Sequence, residues 1–347
     1  MREPSEADID EIVELFGVDT DSVELTLQED QLRLYCVTKP VVGNCEVLIV
    51  DTPEARALAC FPHIVGKAFD SLNETLATRA ANAIVRELGL EEWKGHIVLL
   101  HILRASPGYK LSKALAAHLP DLREAYVRPL YSRDRSSLRV VYENYTNLPR
   151  NSKVAVIVPD TIATGRAASV SLNAITRALR ARGCEPELLV LYGFIAQKGL
   201  AHVVEKALEL GFERIAAFAL VDLSALASND YDMVLYGPDL SRDGFKPLGS
   251  IVPRETLKAC APHYVPGLDQ PGDWSARQEW LFNGRSLERG NMHEHVEKTR
   301  AAVTDVLTRF GREAWFKDWH RKACRKALQA LEAVRRRLAI EARLLGL

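Results

Sequence analysis

One stretch near the middle of the chain, residues 154–169, constrains the fold more than any other. It begins with the apolar, β-branched residues 154–158, which are typical of a strand buried on both faces in a parallel sheet. A short loop at 159–165 follows, and the spacing of apolar residues over 166–182 predicts a helix. A strand, a tight turn and a helix N-terminus in succession form an anion-binding unit, because backbone N–H groups and the helix dipole meet there.

Three residues of this loop suit a phosphorylated sugar. Thr164 adds a hydroxyl group, and Gly165 lets a phosphate approach the backbone closely. Asp160 follows the strand directly, where its carboxylate can bond sugar hydroxyls. Many α/β proteins contain a strand, loop and helix that serve only as scaffold, so the segments on both sides of the loop decide its function.

The loop resembles a known family. The run Pro159-Asp160-Thr161-Ile162-Ala163-Thr164-Gly165 is similar to the phosphoribosyl pyrophosphate loop of type I phosphoribosyltransferases, and its Ala-Thr-Gly ending is most similar to uracil phosphoribosyltransferase. The resemblance implies that phosphoribosyl pyrophosphate is bound by Thr161, Ile162, Ala163, Thr164, Gly165, Arg166 and Ala167. It also implies that Asp160 holds the ribose hydroxyls, stabilises the transition state and is a candidate magnesium ligand. The family's Asp-Pro order is Pro159-Asp160 here, so the acid is shifted by one position.

A second buried strand is predicted at 96–103, and it leads into Arg104. Ile102-Leu103-Arg104-Ala105 resembles the family's Leu-Arg-Ala-Gly segment, which implies that Arg104 binds pyrophosphate; Ser106 stands where the family has glycine. Ligands bind at such strand ends in open α/β folds. The alternative is an arginine that forms a salt bridge at the rim of the sheet.

Residues 131–149 resemble the family's mobile hairpin, with a Tyr-Ser-Arg-Asp segment followed by a tyrosine-rich run that ends in Leu-Pro. The resemblance implies that Arg133 closes on pyrophosphate, since the guanidinium fork suits phosphate oxygens. A solvated, charged hairpin is the alternative.

The acceptor side is predicted at 263–273, His-Tyr-Val-Pro-Gly-Leu-Asp-Gln-Pro-Gly-Asp. This run resembles the family's base-binding loop, Tyr-Ile-Val-Pro-Gly-Leu-Gly-Asp-Ala-Gly-Asp, and the alternative is an ordinary surface loop. The resemblance implies that the acceptor contacts His263, Tyr264, Val265, Gly267, Asp269 and Asp273. Because Asp269 stands where the family has glycine, and an ionised carboxylate only accepts hydrogen bonds, the loop favours an amine-bearing or cationic acceptor over uracil.

Composition excludes several other classes. A formal net charge of −1 gives no overall attraction to nucleic acid, and no apolar run is long enough for a membrane span. The acidic start of the chain is not typical of a signal peptide. The six cysteines include no CxxC pair, which favours reduced thiols over disulfides or zinc. These observations predict a cytoplasmic protein that binds neither membrane nor nucleic acid.

Three units are predicted: a small N-terminal α+β unit at 1–58, a phosphoribosyltransferase-like domain at 59–275 and a helical extension at 276–347. We expect the first to contribute a small sheet packed against the main domain or against a dimer partner. The extension carries more basic than acidic side chains, and we expect this basic face to be solvated rather than to bind nucleic acid. The fold class is α/β, a mostly parallel sheet flanked by helices.

The resemblance implies a phosphoribosyltransferase that uses Mg²⁺ and transfers the 5-phosphoribosyl group from phosphoribosyl pyrophosphate to a nucleobase-like or amine-bearing small molecule, with release of pyrophosphate. It also implies a homodimer or a higher homo-oligomer. Two alternatives remain: a uracil phosphoribosyltransferase of pyrimidine salvage, and a non-catalytic regulator that senses phosphoribosyl pyrophosphate or nucleotides.

Overall fold

The computed structural model describes residues 4–132, 134, 137–269 and 274–345. Its strands are β1 (Val23–Glu29), β2 (Leu32–Val37), β3 (Cys45–Asp51), β4 (His96–Ile102), β5 (Arg123–Tyr131), β6 (Leu138–Asn144), β7 (Lys153–Pro159), β8 (Glu185–Ala196), β9 (Arg214–Leu226), β10 (Asp232–Met233), β11 (Tyr236–Pro238), β12 (Pro247–Gly249), β13 (Trp280–Phe282) and β14 (Leu287–Arg289). Its helices are α1 (Glu6–Phe16), α2 (Pro53–Cys60), α3 (Lys67–Leu88), α4 (Leu111–Ala116), α5 (Arg166–Arg180), α6 (Gln197–Glu209), α7 (Arg254–Cys260), α8 (Trp274–Arg277), α9 (Met292–Phe310) and α10 (Asp318–Leu345).

One large sheet organises these elements, in the order β1-β2-β3-β9-β8-β7-β4-β5-β6, with β10 paired to β9. The six neighbours from β3 to β5 in this order run parallel. Strands β1, β2, β6 and β10 pair antiparallel at the edges and at the end of β9. The predicted fold class, a mostly parallel sheet flanked by helices, is confirmed.

The central strands are buried on both faces, as their apolar runs predict. In β7, Ala155 and Ile157 belong to the core under α2 and α3, whereas Val156 and Val158 belong to the core under α5 and α6. Alternate residues of a strand point to opposite faces, so an uninterrupted apolar run fills both layers at once.

The N-terminal strands do not form a sheet of their own, which corrects the expectation of a separate small sheet. Strand β3 pairs in parallel with β9, with Val47 opposite Ala217, and β2 and β1 continue the same sheet outward. The sequence pattern identified the strands but not their partner. The unit boundaries at 58 and 275 stay predictions.

The C-terminal part contains the β13–β14 hairpin and two helices that pack on each other. The first of these helices, α9, ends at Phe310, and Gly311 follows it. Val303, Val306 and Leu331 are fully buried and join the core on the α3 side of the sheet. Within the described part of the chain, no helix combines the length and apolar character that crossing a bilayer requires.

Candidate active site

The loop between β7 and α5 is shaped by Gly165, which precedes the helix with a φ of 77°, a conformation that glycine adopts without strain. A Cβ atom there would lie 2.5 Å from the carbonyl oxygen of Gly199, so only glycine lets the loop pack so closely on α6. The backbone N–H of Arg166 donates to Thr164 Oγ1 at 3.5 Å. Because glycine cannot cap the helix with a side chain, N–H groups of this first turn can donate to a phosphate.

Arg104 follows β4 at the same edge of the sheet, because β4 and β7 are parallel neighbours. Ser106, which stands where the resembling family has glycine, has a clear structural role. Its hydroxyl accepts a hydrogen bond from the backbone N–H of Ile102 at 2.8 Å and donates to the carbonyl oxygen of Pro159. Ser106 is buried and thereby ties the end of β4 to the end of β7.

A cavity of about 630 Å³ opens where these two strand ends meet. We call it the central cavity. It is lined by Ile102, Leu103, Arg104, Ala105, Pro129, Tyr131, Leu138, residues 160–168, residues 229–232, Asp269, Trp274 and Ser275. The structure therefore brings Arg104, Asp160 and the predicted loop residues 161–167 together with Asp269, although they come from distant parts of the sequence.

Asp160 is 5% exposed at the edge of the central cavity. Burial raises the pKa of its carboxyl to about 8, against the lowering effect of a hydrogen bond from the backbone of Thr161. Among the described residues, no Lys, Arg or His forms an ion pair with it. A ligand that brings positive charge would therefore favour the ionised carboxylate.

Four of the predicted acceptor residues lie outside the central cavity. Tyr264 and Val265 are fully buried, and the Tyr264 hydroxyl donates to the carbonyl oxygen of Val234. His263 packs near Phe61, with ring centroids 5.7 Å apart. These placements argue against direct acceptor contacts by Tyr264 and Val265, whose side chains are buried in the core. His263 is exposed, but it does not line the central cavity.

Gly267 has an indirect place in the site, since its carbonyl oxygen accepts a hydrogen bond from the Tyr231 hydroxyl at 2.9 Å. Of the predicted acceptor residues that the structure describes, Asp269 alone lines the central cavity. Arg133 and Asp273 lie outside the described residues.

Sequence reasoning missed residues 229–232, which form the end of the turn after β9 and the start of β10. Asp232 is 1% exposed and lines the central cavity. Burial and then the charge of Asp269 raise the pKa of its carboxyl well above the usual range. The available signal was the density of polar and turn-forming residues directly after a long buried strand, Ser-Asn-Asp-Tyr-Asp.

The β13–β14 hairpin reaches the same region from the C-terminal part. Glu288 Oε1 lies 2.6 Å from Arg104 Nη1, and Asn283 Nδ2 donates to the other carboxylate oxygen at 3.1 Å. Arg128 Nη1 donates to the carbonyl oxygen of Asn283 at 2.9 Å, which fixes the hairpin against β5. Arg104 is therefore paired with a carboxylate contributed by the hairpin.

The chain can be compared with known proteins. No protein-family model matches the chain, and no curated protein does so. Among solved structures, the chain is similar to the AQ2163 protein from Aquifex aeolicus, with a TM-score of 0.41, 15% identity and coverage of 54% of this chain and 91% of that one. It is similar to adenine phosphoribosyl transferase from Trypanosoma brucei, with a TM-score of 0.36, 14% identity and coverage of 55% and 87%.

A further similar structure is hypoxanthine phosphoribosyltransferase from Trypanosoma cruzi, with a TM-score of 0.30, 16% identity and coverage of 55% of this chain and 90% of that one. All three TM-scores lie below 0.5, so the fold assignment rests on the strand order and pairing described above.

The described residues contain no group of three or more His, Cys, Asp or Glu side chains placed to hold a metal ion. Mg²⁺, however, is usually held by one or two carboxylates together with substrate phosphates and water. Asp160, which has no ion-pair partner among the described residues and lines the central cavity, fits the role of such a single carboxylate. It is the residue that would hold Mg²⁺ beside a bound diphosphate.

Proposed function

We propose that this protein is a phosphoribosyltransferase that transfers the 5-phosphoribosyl group from phosphoribosyl pyrophosphate to the nitrogen of a small-molecule acceptor. The observation that carries the proposal is the meeting of Arg104 and residues 160–167 around one cavity at the carboxyl ends of β4 and β7. A donor with a phosphate at one end and a diphosphate at the other needs an N–H-rich loop and a cation in one cavity.

In the proposed reaction, the acceptor nitrogen forms a bond to C1 of the ribose while the bond from C1 to the diphosphate oxygen breaks. The electron pair of the broken bond leaves with pyrophosphate, and the acceptor nitrogen releases its proton. Backbone groups of residues 163–167 hold the 5-phosphate, and Arg104 neutralises charge that develops on the leaving group. Mg²⁺ would add positive charge to that leaving group.

Asp160 lies where it can act on the sugar. Positive charge grows on the ribose ring as the C1–O bond breaks, and a nearby carboxylate stabilises such charge. Burial without a cationic partner keeps the pKa of Asp160 at about 8 before the substrate binds. The positive charge of the transition state favours the ionised form, so the carboxylate interacts more strongly with the transition state than with the bound substrate.

The test has a binding arm and a turnover arm. Phosphoribosyl pyrophosphate with Mg²⁺ is added to the full chain, and the melting temperature is measured; at one hundred times the dissociation constant the stabilisation would be about 2.7 kcal/mol. Release of pyrophosphate is then followed with pooled nucleobases and amines. The absence of any thermal shift at millimolar ligand would overturn the proposal.

The ion pair between Arg104 and Glu288 favours a second candidate, a non-catalytic sensor of phosphoribosyl pyrophosphate or nucleotides. In such a protein the ligand would displace Glu288 and move the hairpin without chemistry. A thermal shift with no pyrophosphate released from any acceptor would select the sensor over the enzyme.

A further inference from the structure

The wall of the central cavity that does not belong to the phosphate loop carries three acids: Asp230 and Asp232, close together in the chain, and Asp269. Asp230 is exposed, whereas Asp232 is almost completely buried. The charges of Asp269, Asp222 and Asp160 all raise the pKa of Asp232, so this carboxyl lies within electrostatic reach of both the loop and the predicted acceptor segment.

One oxygen of the Asp232 carboxyl lacks the partner that a buried carboxyl normally has, and the backbone hydrogen bond that lowers its pKa comes from Asp232 itself. Its Oδ2 atom is buried without a hydrogen-bond partner. Among the described residues, no Lys, Arg or His forms an ion pair with it. Burying such a group unpaired is costly, and native proteins retain few such groups outside functional sites.

Two neighbouring buried acids show that the fold satisfies carboxylates where they serve the structure. Asp222 accepts hydrogen bonds from the Ser224 hydroxyl at 2.7 Å and from the backbone N–H of Leu235. Asp239 accepts a bond from the backbone N–H of Ser228 at 3.0 Å and another from its hydroxyl at 2.6 Å. Neither of these acids lines the central cavity. Asp232 does line it, and its Oδ2 is the atom left without a donor.

The geometry points to Asp232 as the residue that recognises the acceptor, by accepting a hydrogen bond from an amino or amidino N–H group of a flat nitrogen heterocycle. The inference rests on the proposed function, because it assigns the acceptor to the part of the cavity beyond the phosphate loop. Tyr231 and Trp274, both largely buried, also line the central cavity, and aromatic side chains at a cavity suit a flat ring.

A hydrogen-bond donor on the acceptor molecule suits this wall better than a carbonyl oxygen does. Asp269 has the largest charge effect on Asp232, and an ionised carboxylate attracts N–H groups and repels carbonyl oxygens. A metal ion held by protein side chains alone is a poorer fit, since the described residues contain no group of three metal ligands.

Two matched pairs of bases test the inference: adenine against hypoxanthine, and cytosine against uracil. In each pair an amino group replaces an oxo group on the same ring. Affinities are measured by calorimetry on the full chain saturated with magnesium pyrophosphate, which fills the leaving-group site without allowing turnover. Burial and the charge of Asp269 raise the pKa of the free Asp232 carboxyl, and an N–H donor at this carboxyl favours its ionised form. We expect the amino member of at least one pair to bind about tenfold tighter or more, the usual size of a hydrogen bond to a charged group, with a preference that grows as the pH of the titration is raised.

The variant Asp232→Asn keeps the shape of the side chain and can donate to an oxo group. We expect it to reduce the preference for the amino member to less than about threefold, because the charge is lost. Asp243→Asn is the control and should keep the preference, since Asp243 is exposed and lies outside the central cavity. If Asp232→Asn does not fold, Asp232→Ser gives the same comparison.

The outcomes of this test can be distinguished from those of the test of the proposed function. Equal affinities within both pairs, a preference for the oxo members, binding of none of the four bases, or an unchanged preference in the Asp232 variant would overturn the inference. Binding of phosphoribosyl pyrophosphate is measured separately by thermal shift. A protein that binds it but shows no amino preference keeps the proposed function and loses this assignment.

Discussion

Arg104 Nη1 and Glu288 Oε1 lie 2.6 Å apart, although 184 positions separate the two residues in the sequence. The hydrogen bond from Arg104 is the first cause of the lowered pKa of Glu288, so the carboxylate is ionised at neutral pH. A guanidinium that would bind pyrophosphate is thus already paired with an anion from the protein. Pyrophosphate and Glu288 would compete for the same donor.

Glu288→Gln should therefore strengthen pyrophosphate binding. The pair is largely exposed, and exposed ion pairs contribute between about 0.2 and 1 kcal/mol, so we expect affinity for magnesium pyrophosphate to rise about two- to fivefold. Calorimetry on the two proteins measures it. Glu294→Gln is the control, because Glu294 also belongs to the C-terminal part and pairs with Lys298 at 2.6 Å. Weaker binding by Glu288→Gln would instead show that Glu288 holds Arg104 in its binding position.

Arg104→Ala should abolish turnover with little loss of stability. Loss of one group that stabilises a developing charge typically costs about a hundredfold or more in rate, while an exposed substitution changes stability by about 0.5 kcal/mol or less. Pyrophosphate release and urea unfolding measure the two effects. Arg86→Ala is the matched control for Arg104→Ala. The Arg86 side chain is 44% exposed, against 43% for Arg104, and it also pairs with a glutamate. Full activity of Arg104→Ala would refute its assigned role.

The sequence predicted those parts of the site that depend on local pattern. The β7 run and the start of α5 follow from apolar spacing, and their meeting with Arg104 follows because parallel strands end at one edge. Glu288 and Asp232 could not be found this way, since their positions depend on long-range packing of the hairpin and of β10. Tyr264 was misplaced because a Pro-Gly-rich segment looks exposed, whereas its ring packs in the core.

Ser106→Gly, which restores the residue typical of the resembling family, should destabilise this protein. It removes the hydroxyl that connects Ile102 to Pro159 and leaves a buried N–H without its acceptor, which costs about 1–3 kcal/mol; glycine also adds about 0.5–1 kcal/mol of backbone entropy. Urea unfolding measures the loss, with the exposed Ser71→Gly as a comparison for the backbone effect. Equal losses in the two variants would show that the hydroxyl does not stabilise the fold.

Asp160→Asn should make stability less dependent on pH. Burial raises the pKa of Asp160 to about 8, against about 3.9 in an unfolded chain. Between these values the folded protein holds a proton that the unfolded chain releases, so this group lowers stability as the pH rises. The free energy of unfolding of the variant should exceed that of the wild type by the largest amount at about pH 8 and above, and the two should converge near about pH 4. Between these values the contribution of Asp160 to the difference should change by at most about 1.4 kcal/mol per pH unit.

Unfolding in urea across this range measures the difference. Asp222 contributes equally to both proteins, whereas the pKa of Asp232, which the charge of Asp160 raises, falls in the variant and adds to the same trend. The exposed Asp243→Asn should follow the wild type at every pH. Parallel curves for the wild type and Asp160→Asn would show that Asp160 is already ionised in the folded protein.

Asp269→Gly should increase turnover of uracil relative to the wild type, in which we expect uracil to be a poor substrate. Asp269 lines the central cavity, and an ionised carboxylate repels the carbonyl oxygens of uracil and cannot donate a hydrogen bond to them. Glycine removes this charge and exposes backbone groups. Steady-state release of pyrophosphate with uracil measures the effect, and Asp243→Gly, in an exposed loop outside the cavity, should leave it unchanged. If the wild type already turns over uracil at about ten per second, a typical rate for enzymes, then Asp269 does not exclude uracil and the protein is a uracil phosphoribosyltransferase in practice.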